Sequence, residues 1–325
     1  MQTGDLIHSQ VLSLTSGIAR LQFVDGVEVT LQGPAKYEIL GVGRTRLHSG
    51  LLTANVPAGA EGFRVGTPTV DVVDLGTSFG VHINNEGNAN VAVFEGEVEV
   101  TPKGVKSPRL LKEGEAVDIA SFADSPPSIS SVEIDTSRFE RVWPVASGIV
   151  GSTENFRVAP PWPRAMRFIE SDEMLSVVTE GYPIELESPL ALNVSVPGEY
   201  RTTEELTAGD VPIGTRVRSY FLQFKPRSIV GRPIVRDFEG TITFDAPILG
   251  VIGLAEELSA CDEIFAGRIS GRPPVSRSLE LSNRESGDVV SLSEDRHSLT
   301  LKLSTPSKRS DCVRVIVDAK IPRAN

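Results

Sequence analysis

One short segment has the letter pattern of a catalytic nucleophile. Gly76-Thr-Ser-Phe-Gly80 matches Gly-x-Ser-x-Gly, the sharp turn that exposes the nucleophilic serine of α/β-hydrolases at the start of a helix. The residues that follow, Val81-His-Ile-Asn-Asn-Glu-Gly87, alternate apolar with polar and run into a turn instead of a helix. We therefore interpret the segment as a turn that leads into a strand. We predict that the chain is not an enzyme and has no catalytic residue.

Metal and cofactor motifs are equally sparse. The four histidines are His8, His48, His82 and His297, and they form no His-Glu-x-x-His pattern. The two cysteines form no Cys-x-x-Cys pair, so the usual zinc sites are not predicted. Glycine-rich loops that cradle phosphate or a dinucleotide are also missing. The sequence therefore predicts no metal site and no cofactor.

Acidic residues cluster in two places. Glu95, Glu97 and Glu99 recur with period two, which predicts one face of a strand. Three carboxylates on one face are a calcium-type donor set, but a solvated outer face of a half-buried strand explains them as well, and we favour it. Ser293-Glu-Asp-Arg-His297 is interpreted as a polar hairpin turn.

The cysteines leave two interpretations open. Cys261 and Cys312 are either free buried thiols, which we favour, or a disulfide formed in an oxidising compartment. A bridge closing a loop of this size would stabilise the fold by about 4 kcal/mol in the chain-entropy model.

Composition excludes several classes of partner. The chain has 325 residues, enough for two domains, and a formal net charge of -11. Because phosphate contacts require concentrated basic surface, nucleic acid is not a predicted partner, and an anionic membrane face is disfavoured. The longest apolar stretch, Ile248–Ala255, is far shorter than the roughly 20 residues that span a bilayer. We also expect no secretory leader after Met1.

The dominant periodicity is that of β-strands. Ile18–Val24 and Val27–Leu31 flank the turn pair Asp25-Gly26, which is typical of a hairpin. Short alternating runs separated by Gly, Asn, Pro and Asp continue at Phe63–Val65, Val70–Val73, Phe79–Ile83, Val91–Phe94 and Val98–Val100. This spacing predicts an all-β fold, with a rolled sheet or sandwich at the N-terminus.

A second β domain is predicted after a break. Proline and serine are enriched at Asp124–Ser131 and Ala159–Pro163, so we predict a domain at 1–120, an irregular linker at 121–165 and a domain at 166–325. The last of these is predicted to be a jelly-roll-like sandwich with one short helix near Leu254–Ala266. Its strand patterns lie at Arg216–Phe224, Gly240–Phe244, Ser298–Leu303 and Val313–Val317.

Residues 17–120 resemble the FecR-type domain, in the version found in planctomycete-like bacteria. The blocks that carry the likeness, in order, are Val29–Leu40, Arg46–Val56, Phe63–Val70, Val73–Val81, Val91–Val100 and Leu111–Val117. The most specific block contains Leu-Gly-Thr-x-Phe-x-Val. We interpret the motif residues as structural, namely Gly33, Pro34, Leu75, Gly76, Thr77, Phe79, Gly80, Glu95 and Gly96. Phe79 is expected to anchor the core, and Gly96 is expected to mark a bulge or turn.

The resemblance implies a sensor in the periplasm or cell envelope. A typical family member has a cytoplasmic anti-sigma segment and a membrane helix ahead of this domain, and it relays a signal to a sigma factor. This chain begins almost at the domain, so we expect a trimmed form of a longer protein or a secreted relative. The implied partner is an envelope protein, a receptor or membrane regulator, bound through a β-edge or a sheet face.

The C-terminal half has a fainter likeness. Residues 175–320 resemble a β domain of exported bacterial proteins, although we expect no C-terminal sorting tail of the kind those proteins carry. This suggests an alternative function, a secreted or surface-attached protein that binds polysaccharide through its C-terminal sandwich. The candidate aromatic platforms are Trp162, Tyr182 and Tyr200, for each of which we favour burial in a core.

Overall fold

The computed structural model describes residues 10–122, 125–162, 170–181, 183–228, 234–265, 277–282, 287–307 and 309–319. These residues form strands and only a few short helices, so the predicted all-β class is confirmed. They divide into two compact units. The N-terminal unit extends to Ala146 and includes residues 160–162, and the C-terminal unit begins at Ser147.

In the described residues of the N-terminal unit, twelve strands form one sheet. They are β1 (Val11–Leu14), β2 (Ile18–Gln22), β3 (Glu28–Gly41), β4 (Arg44–Asn55), β5 (Arg64–Gly66), β6 (Val70–Asp74), β7 (Ser78–Ile83), β8 (Ala89–Glu95), β9 (Glu97–Pro102), β10 (Arg109–Lys112), β11 (Ala116–Phe122) and β12 (Ser125–Val132). A 3₁₀ helix (Thr136–Phe139) and helix α1 (Trp143–Ala146) follow. Residues 125–132 thus form a strand within the segment that we interpreted as linker.

Local turn chemistry explains the first hairpin. Gly26 has a φ of +86°, which a glycine adopts without strain, and the Asp25 side chain accepts a hydrogen bond from the Val27 N–H at 3.3 Å. The flanking residues of β2 and β3 then pair in antiparallel register, with Leu21 opposite Val29. The predicted Asp-Gly hairpin is confirmed.

The sheet of this unit is rolled. Its strand order is β10-β9-β6-β5-β4-β7-β8-β11-β12, with β3 paired to β4 and both β1 and β2 paired to β3. All pairs are antiparallel except β4 with β5. The concave side holds the main core, and strands from the two ends of this order approach each other, since β12 lies near β9 and β10 lies near β8.

A second, smaller core lies on the convex side. Residues after β12 cross the outer surface of β4, β7, β8 and β11 and bury Phe139 and Val142 against Phe94 and Ala116. Phe94 meets Phe139 edge to face, with ring centroids 4.9 Å apart. The 3₁₀ helix and α1 therefore belong to the same packed unit as the sheet.

The C-terminal unit is a sandwich of two larger sheets and one small one. Its strands are β13 (Ile149–Ser152), β14 (Phe156–Val158), β15 (Leu175–Thr179), β16 (Ile184–Glu185), β17 (Leu190–Leu192), β18 (Gly198–Tyr200), β19 (Gly209–Val211), β20 (Arg216–Phe224), β21 (Val235–Phe244), β22 (Ile248–Ile252), β23 (Val289–Leu292), β24 (Ser298–Pro306) and β25 (Asp311–Asp318). A 3₁₀ helix (Thr203–Glu205) and helices α2 (Ala255–Ala260) and α3 (Asp262–Phe265) complete it. The helices lie where the sequence predicts one short helix.

Two sheets face each other across the main core of this unit. One has the order β13-β21-β24-β23-β18, and the other has the order β14-β15-β20-β25-β22 with β16 also on β20. Alternation along β20 and β25 sends Tyr220, Leu222 and Val315 into the sandwich. The jelly-roll-like connectivity stays a prediction.

The opposite face of β20 and β25 is covered by α2 and α3 and contains buried polar groups. Arg314 is 2% exposed and makes a bidentate pair with Glu180, at 2.6 and 2.7 Å. Its third nitrogen donates to Cys261 Sγ at 2.8 Å. Both Cys261 and Cys312 are free buried thiols, which agrees with the favoured interpretation. Burial raises the pKa of each thiol above its ordinary value.

Candidate functional site

The signature block folds into a turn built around a buried carboxylate. Asp74 ends β6 and is fully buried. Its side chain accepts hydrogen bonds from the Gly76 N–H at 2.8 Å and from the hydroxyl of Thr77, which is also fully buried. Asp, Gly and Thr at these spacings therefore close the link between β6 and β7, and the Thr77 carbonyl accepts from the Val56 N–H at 2.9 Å.

The buried Asp74 carboxyl predicts a pH dependence of stability. Burial raises its pKa from 3.8 to about 6, against the lowering effect of the hydrogen bonds from Thr77 and Gly76. The folded protein holds this proton more tightly than the unfolded chain does. The protonated Asp74 carboxyl therefore makes its full contribution to the free energy of unfolding below about pH 4, and this contribution is lost as the pH rises through about 6. Urea unfolding of the full chain from pH 4 to 8, followed by tryptophan emission, should show this loss.

Asp74→Asn is expected to flatten the part of the pH profile that comes from this carboxyl. Asp71→Asn removes a half-exposed carboxylate on the same strand and serves as the matched control. A pH profile of Asp74→Asn that superimposes on those of Asp71→Asn and the unchanged chain would contradict the role of Asp74.

Two motif glycines make this turn compact. Gly76 has a φ of +99° and Gly96 a φ of +78°, a region that side chains disfavour. A Cβ on Gly96 would lie 2.5 Å from the Gly76 carbonyl oxygen and 2.7 Å from the Thr77 methyl group. Gly96 therefore lets the β8–β9 connection pack directly on the signature turn.

At position 80, the space that a side chain would need is filled by an aromatic ring from outside the signature block. A Cβ at this position would lie 2.5 Å from Cζ of Phe139 and 3.1 Å from Cζ of Phe94. Phe79, the neighbouring residue, points to the other side of β7 and is fully buried in the concave core. Phe79 therefore packs in the concave core, while Gly80 makes room for the Phe139 ring in the convex core.

The other motif residues lie apart from this turn or at its rim. Gly33 passes close to Ser16, where a Cβ would be 2.9 Å from backbone atoms, and Pro34 follows it through a cis peptide bond. Leu75 is 44% exposed at the signature turn. Glu95 ends β8 opposite Ser78. That the nine motif residues are structural stays a prediction.

The expected strand of three glutamates is wrong in one respect. Gly96 separates β8 from β9, so Glu95 is on a different strand from Glu97 and Glu99. The positive φ of Gly96 breaks the period-two pattern at this point. Glu97 lies 3.5 Å from Lys112 on the solvated surface. A calcium site has no support here.

The Gly-x-Ser-x-Gly segment, residues 76–80, does not form the strand-to-helix turn of a hydrolase nucleophile, because it leads into strand β7. Ser78 is the first residue of β7, is 7% exposed and pairs with Asn55 and Glu95. His48 contacts Glu38 at 2.9 Å, and burial lowers the pKa of His82 below its ordinary value. His8 lies outside the described residues. Within the part of the chain that the structure describes, no three His, Cys, Asp or Glu side chains form a metal-type cluster.

The two terminal strands of the rolled sheet form a seam, defined here as the facing edges of β10 and β12. Arg109 on β10 donates to the Ser131 hydroxyl on β12 at 2.6 Å. Among the described residues no backbone ladder joins these two strands. The seam therefore offers main-chain groups at a sheet edge, the kind of surface that accepts an added strand.

The two edges differ in protection. On β10, Arg109 and Lys112 are charged, which is how natural edges resist unwanted pairing. The described side chains of β12, residues 127–132, carry no charge, and Ser128, Ser130 and Ser131 are exposed. Pro127 has no N–H to offer, so the part of the β12 edge that carries neither charge nor proline is Ser128–Val132.

The proposed sugar-binding aromatics are engaged in packing. Tyr200 is 4% exposed, and its hydroxyl donates to the Val196 carbonyl at 2.7 Å. Trp162 packs on Gly114, where a Cβ would lie 2.6 Å from its ring. Tyr182 lies outside the described residues. Tyr200 is therefore buried, and Trp162 is half-buried against the N-terminal unit.

Sequence reasoning missed two residues that shape this site. Asp74 precedes Gly76-Thr77 at the spacing of an Asx turn, a signal that was present in the sequence. Phe139 gave no such signal, because its contact with Gly80 joins positions far apart in the chain. None of the described helices is long and apolar enough to cross a membrane.

Comparison with known proteins identifies the first unit. The family model for the FecR protein matches residues 9–99. Two crystal structures of a "putative anti-sigma factor" from Parabacteroides distasonis are similar at 20% and 21% identity, with TM-scores of 0.35 and 0.34. They cover 45% and 44% of this chain, and the matches span 67% and 66% of those chains. At these values the likeness assigns no function. No curated protein matches the chain. The family match therefore places a FecR-type domain at residues 9–99, within the N-terminal unit.

Proposed function

We propose that this chain is a non-enzymatic sensor or regulator of the bacterial cell envelope that acts by binding another protein. The FecR domain supports a regulatory role. The observation that carries the binding mechanism is the seam, where β12 presents an uncharged edge and no ladder to β10 is described. The working location in this proposal is extracytoplasmic.

In the proposed mechanism a strand of the partner pairs with β12. Main-chain hydrogen bonds along Ser128–Val132 provide affinity, and alternate side chains provide specificity. Ile129 packs on the concave core and fixes the register of β12 against Ile119. Because the core holds β12 in place, the edge is preorganised and needs little ordering on binding.

A charged residue on β12 is the test. Ser130 is exposed and lies opposite Asp118, so Ser130→Lys is compatible with the fold while it places a cation on the edge. Purified chain carrying a photo-crosslinker at position 128 should form a discrete protein adduct in the envelope fraction of the producing bacterium. Ser130→Lys should reduce this adduct about tenfold.

Ser107→Lys is the matched control, because Ser107 is exposed in the turn between β9 and β10 and away from the β12 edge. Equal amounts of adduct from the unchanged chain, Ser130→Lys and Ser107→Lys would show that β12 is not the binding edge. An adduct with glycan in place of protein would contradict the mechanism.

A further inference from the structure

Two arginines lie side by side on the convex surface of the FecR unit. Arg44 on β4 is the register partner of Arg64 on the parallel strand β5, and both are exposed. Side chains at paired positions lie on the same face, and neighbouring strands are about 4.8 Å apart. Like charges placed directly opposite destabilise a sheet. The fold therefore bears a cost at this pair.

Nothing in the described part of the chain neutralises these two charges. Neither Arg44 nor Arg64 forms an ion pair or a side-chain hydrogen bond among the described residues. The nearest carboxylate on β3, Glu38, is already shared by His48 at 2.9 Å and Arg46 at 3.8 Å. On β6, Asp71 is diagonal to Arg64 and is paired with Lys103 at 2.5 Å. Glu99 lies one strand further away, beyond Val73, at two strand spacings or about 10 Å.

Exposed aliphatic side chains adjoin the arginine pair. The tip of the β3–β4 hairpin carries Leu40, which is 40% exposed, and Val42, which is 81% exposed. The Gly43 carbonyl accepts a hydrogen bond from the Arg64 N–H at 2.8 Å, which joins this tip to β5. Cationic and apolar groups thus meet at one end of the sheet.

We propose that Arg44 and Arg64, together with the Leu40–Val42 tip, bind an acidic segment of another protein that also carries an aliphatic side chain. Carboxylates of the segment pair with the two guanidinium groups, and its aliphatic side chain covers Leu40 and Val42. The exposed Leu40 and Val42 beside the two guanidinium groups favour a protein segment, because such a segment presents carboxylates and an aliphatic side chain at fixed spacing. This surface is separate from the seam and does not require it.

The probe is a dye-labelled peptide that alternates glutamate with leucine, titrated against the full chain by fluorescence anisotropy at low and moderate salt. The unchanged chain should bind it saturably and more weakly as salt rises. Arg44→Gln/Arg64→Gln should weaken binding about tenfold. The control Lys36→Gln/Lys106→Gln also removes two positive charges, at two exposed lysines away from this surface, and should alter binding less than about twofold.

Stability provides an independent readout. Arg64→Gln should raise the folding equilibrium constant about two- to fivefold, because it removes the opposed like charges. Three results would overturn the proposal: no saturable binding by the unchanged chain, equal weakening in both double variants, or a lower folding equilibrium constant for Arg64→Gln. Binding to phosphatidylserine vesicles that Arg44→Gln/Arg64→Gln abolishes, without peptide binding, would assign the surface to lipid and also overturn it.

Discussion

Arg314→Met is expected to lower the free energy of unfolding of the C-terminal unit by about 3–5 kcal/mol. The variant leaves the Glu180 carboxylate buried without its bidentate partner, and only the Ser219 hydroxyl still donates to it among the groups described here. It also removes the donor to Cys261 Sγ and to the Leu258 carbonyl. Calorimetry and circular dichroism of the full chain measure the effect.

A double variant separates the cost of an unpaired charge from the net value of the pair. Glu180→Gln/Arg314→Met removes both charges and should recover most of the lost stability, because a buried ion pair often contributes little net free energy. Arg201→Met is the exposed control. Arg201 pairs with Glu199 at 2.7 Å with both side chains at least half exposed, and its loss should cost less than about 1 kcal/mol. Equal losses for Arg314→Met and Arg201→Met would refute this view of the buried pair.

Gly80→Ala is expected to destabilise the FecR unit by about 2–3 kcal/mol. The added methyl group would occupy the space of the Phe139 ring, and Phe94 on the other side limits how far that ring can move. Trp143 reports the change directly, because its ring lies 5.8 Å from Phe94. Urea unfolding followed by tryptophan emission provides the measurement.

Phe139→Leu tests whether the ring is the cause. Alone it should cost about 1–1.5 kcal/mol, but in the Gly80→Ala background it should restore part of the lost stability. Gly66→Ala is the matched control, since Gly66 lies in β5 and a Cβ there would have no heavy atom nearer than the Asp71 carboxylate, at 3.3 Å. Additive effects of Gly80→Ala and Phe139→Leu would show that the two positions do not conflict.

Strands could be predicted from the sequence because period-two spacing is a local property. Arg216–Phe224 coincides with β20, and the Asp25-Gly26 turn lies where the hairpin was expected. The alternation also separates Tyr220 and Leu222 from the residues on the other face of β20. Local pattern and tertiary packing agree at these positions, so the pattern suffices.

Arg314 shows where local pattern fails. Alternation along Val313–Val317 predicts an outward-facing arginine, and the residue does face away from the sandwich core. It is buried nonetheless, because α2 and α3 cover that face and Glu180 supplies the opposite charge. Burial of a charge depends on a partner from a distant segment, which spacing along one strand does not reveal.

The candidate site was partly predictable for the same reason. The resemblance to the FecR-type domain marked Gly76, Thr77 and Gly80 as motif residues. Their physical roles depend on groups at other places in the chain: the Asp74 carboxylate for Thr77, and the Phe139 ring for Gly80. The seam was not predictable, because it arises only when the sheet rolls and brings β10 and β12 together.

The FecR unit thus combines a rigid interior with surfaces that remain available. Both cores and the Asp74 turn hold the sheet in one shape, while β12 is a terminal strand and the arginine pair is exposed. In the proposed function, this preorganised sheet accepts a strand of the partner protein.

The most direct test of this account is hydrogen–deuterium exchange of the full chain, alone and in complex with the envelope protein that it crosslinks. We predict that those amides of Ser128–Val132 that point away from β11 become strongly protected in the complex, since a paired strand would engage them, and that Ser130→Lys removes this protection. Unchanged exchange along β12, with protection confined to the C-terminal unit, would contradict the claim that the FecR sheet binds its partner through this edge.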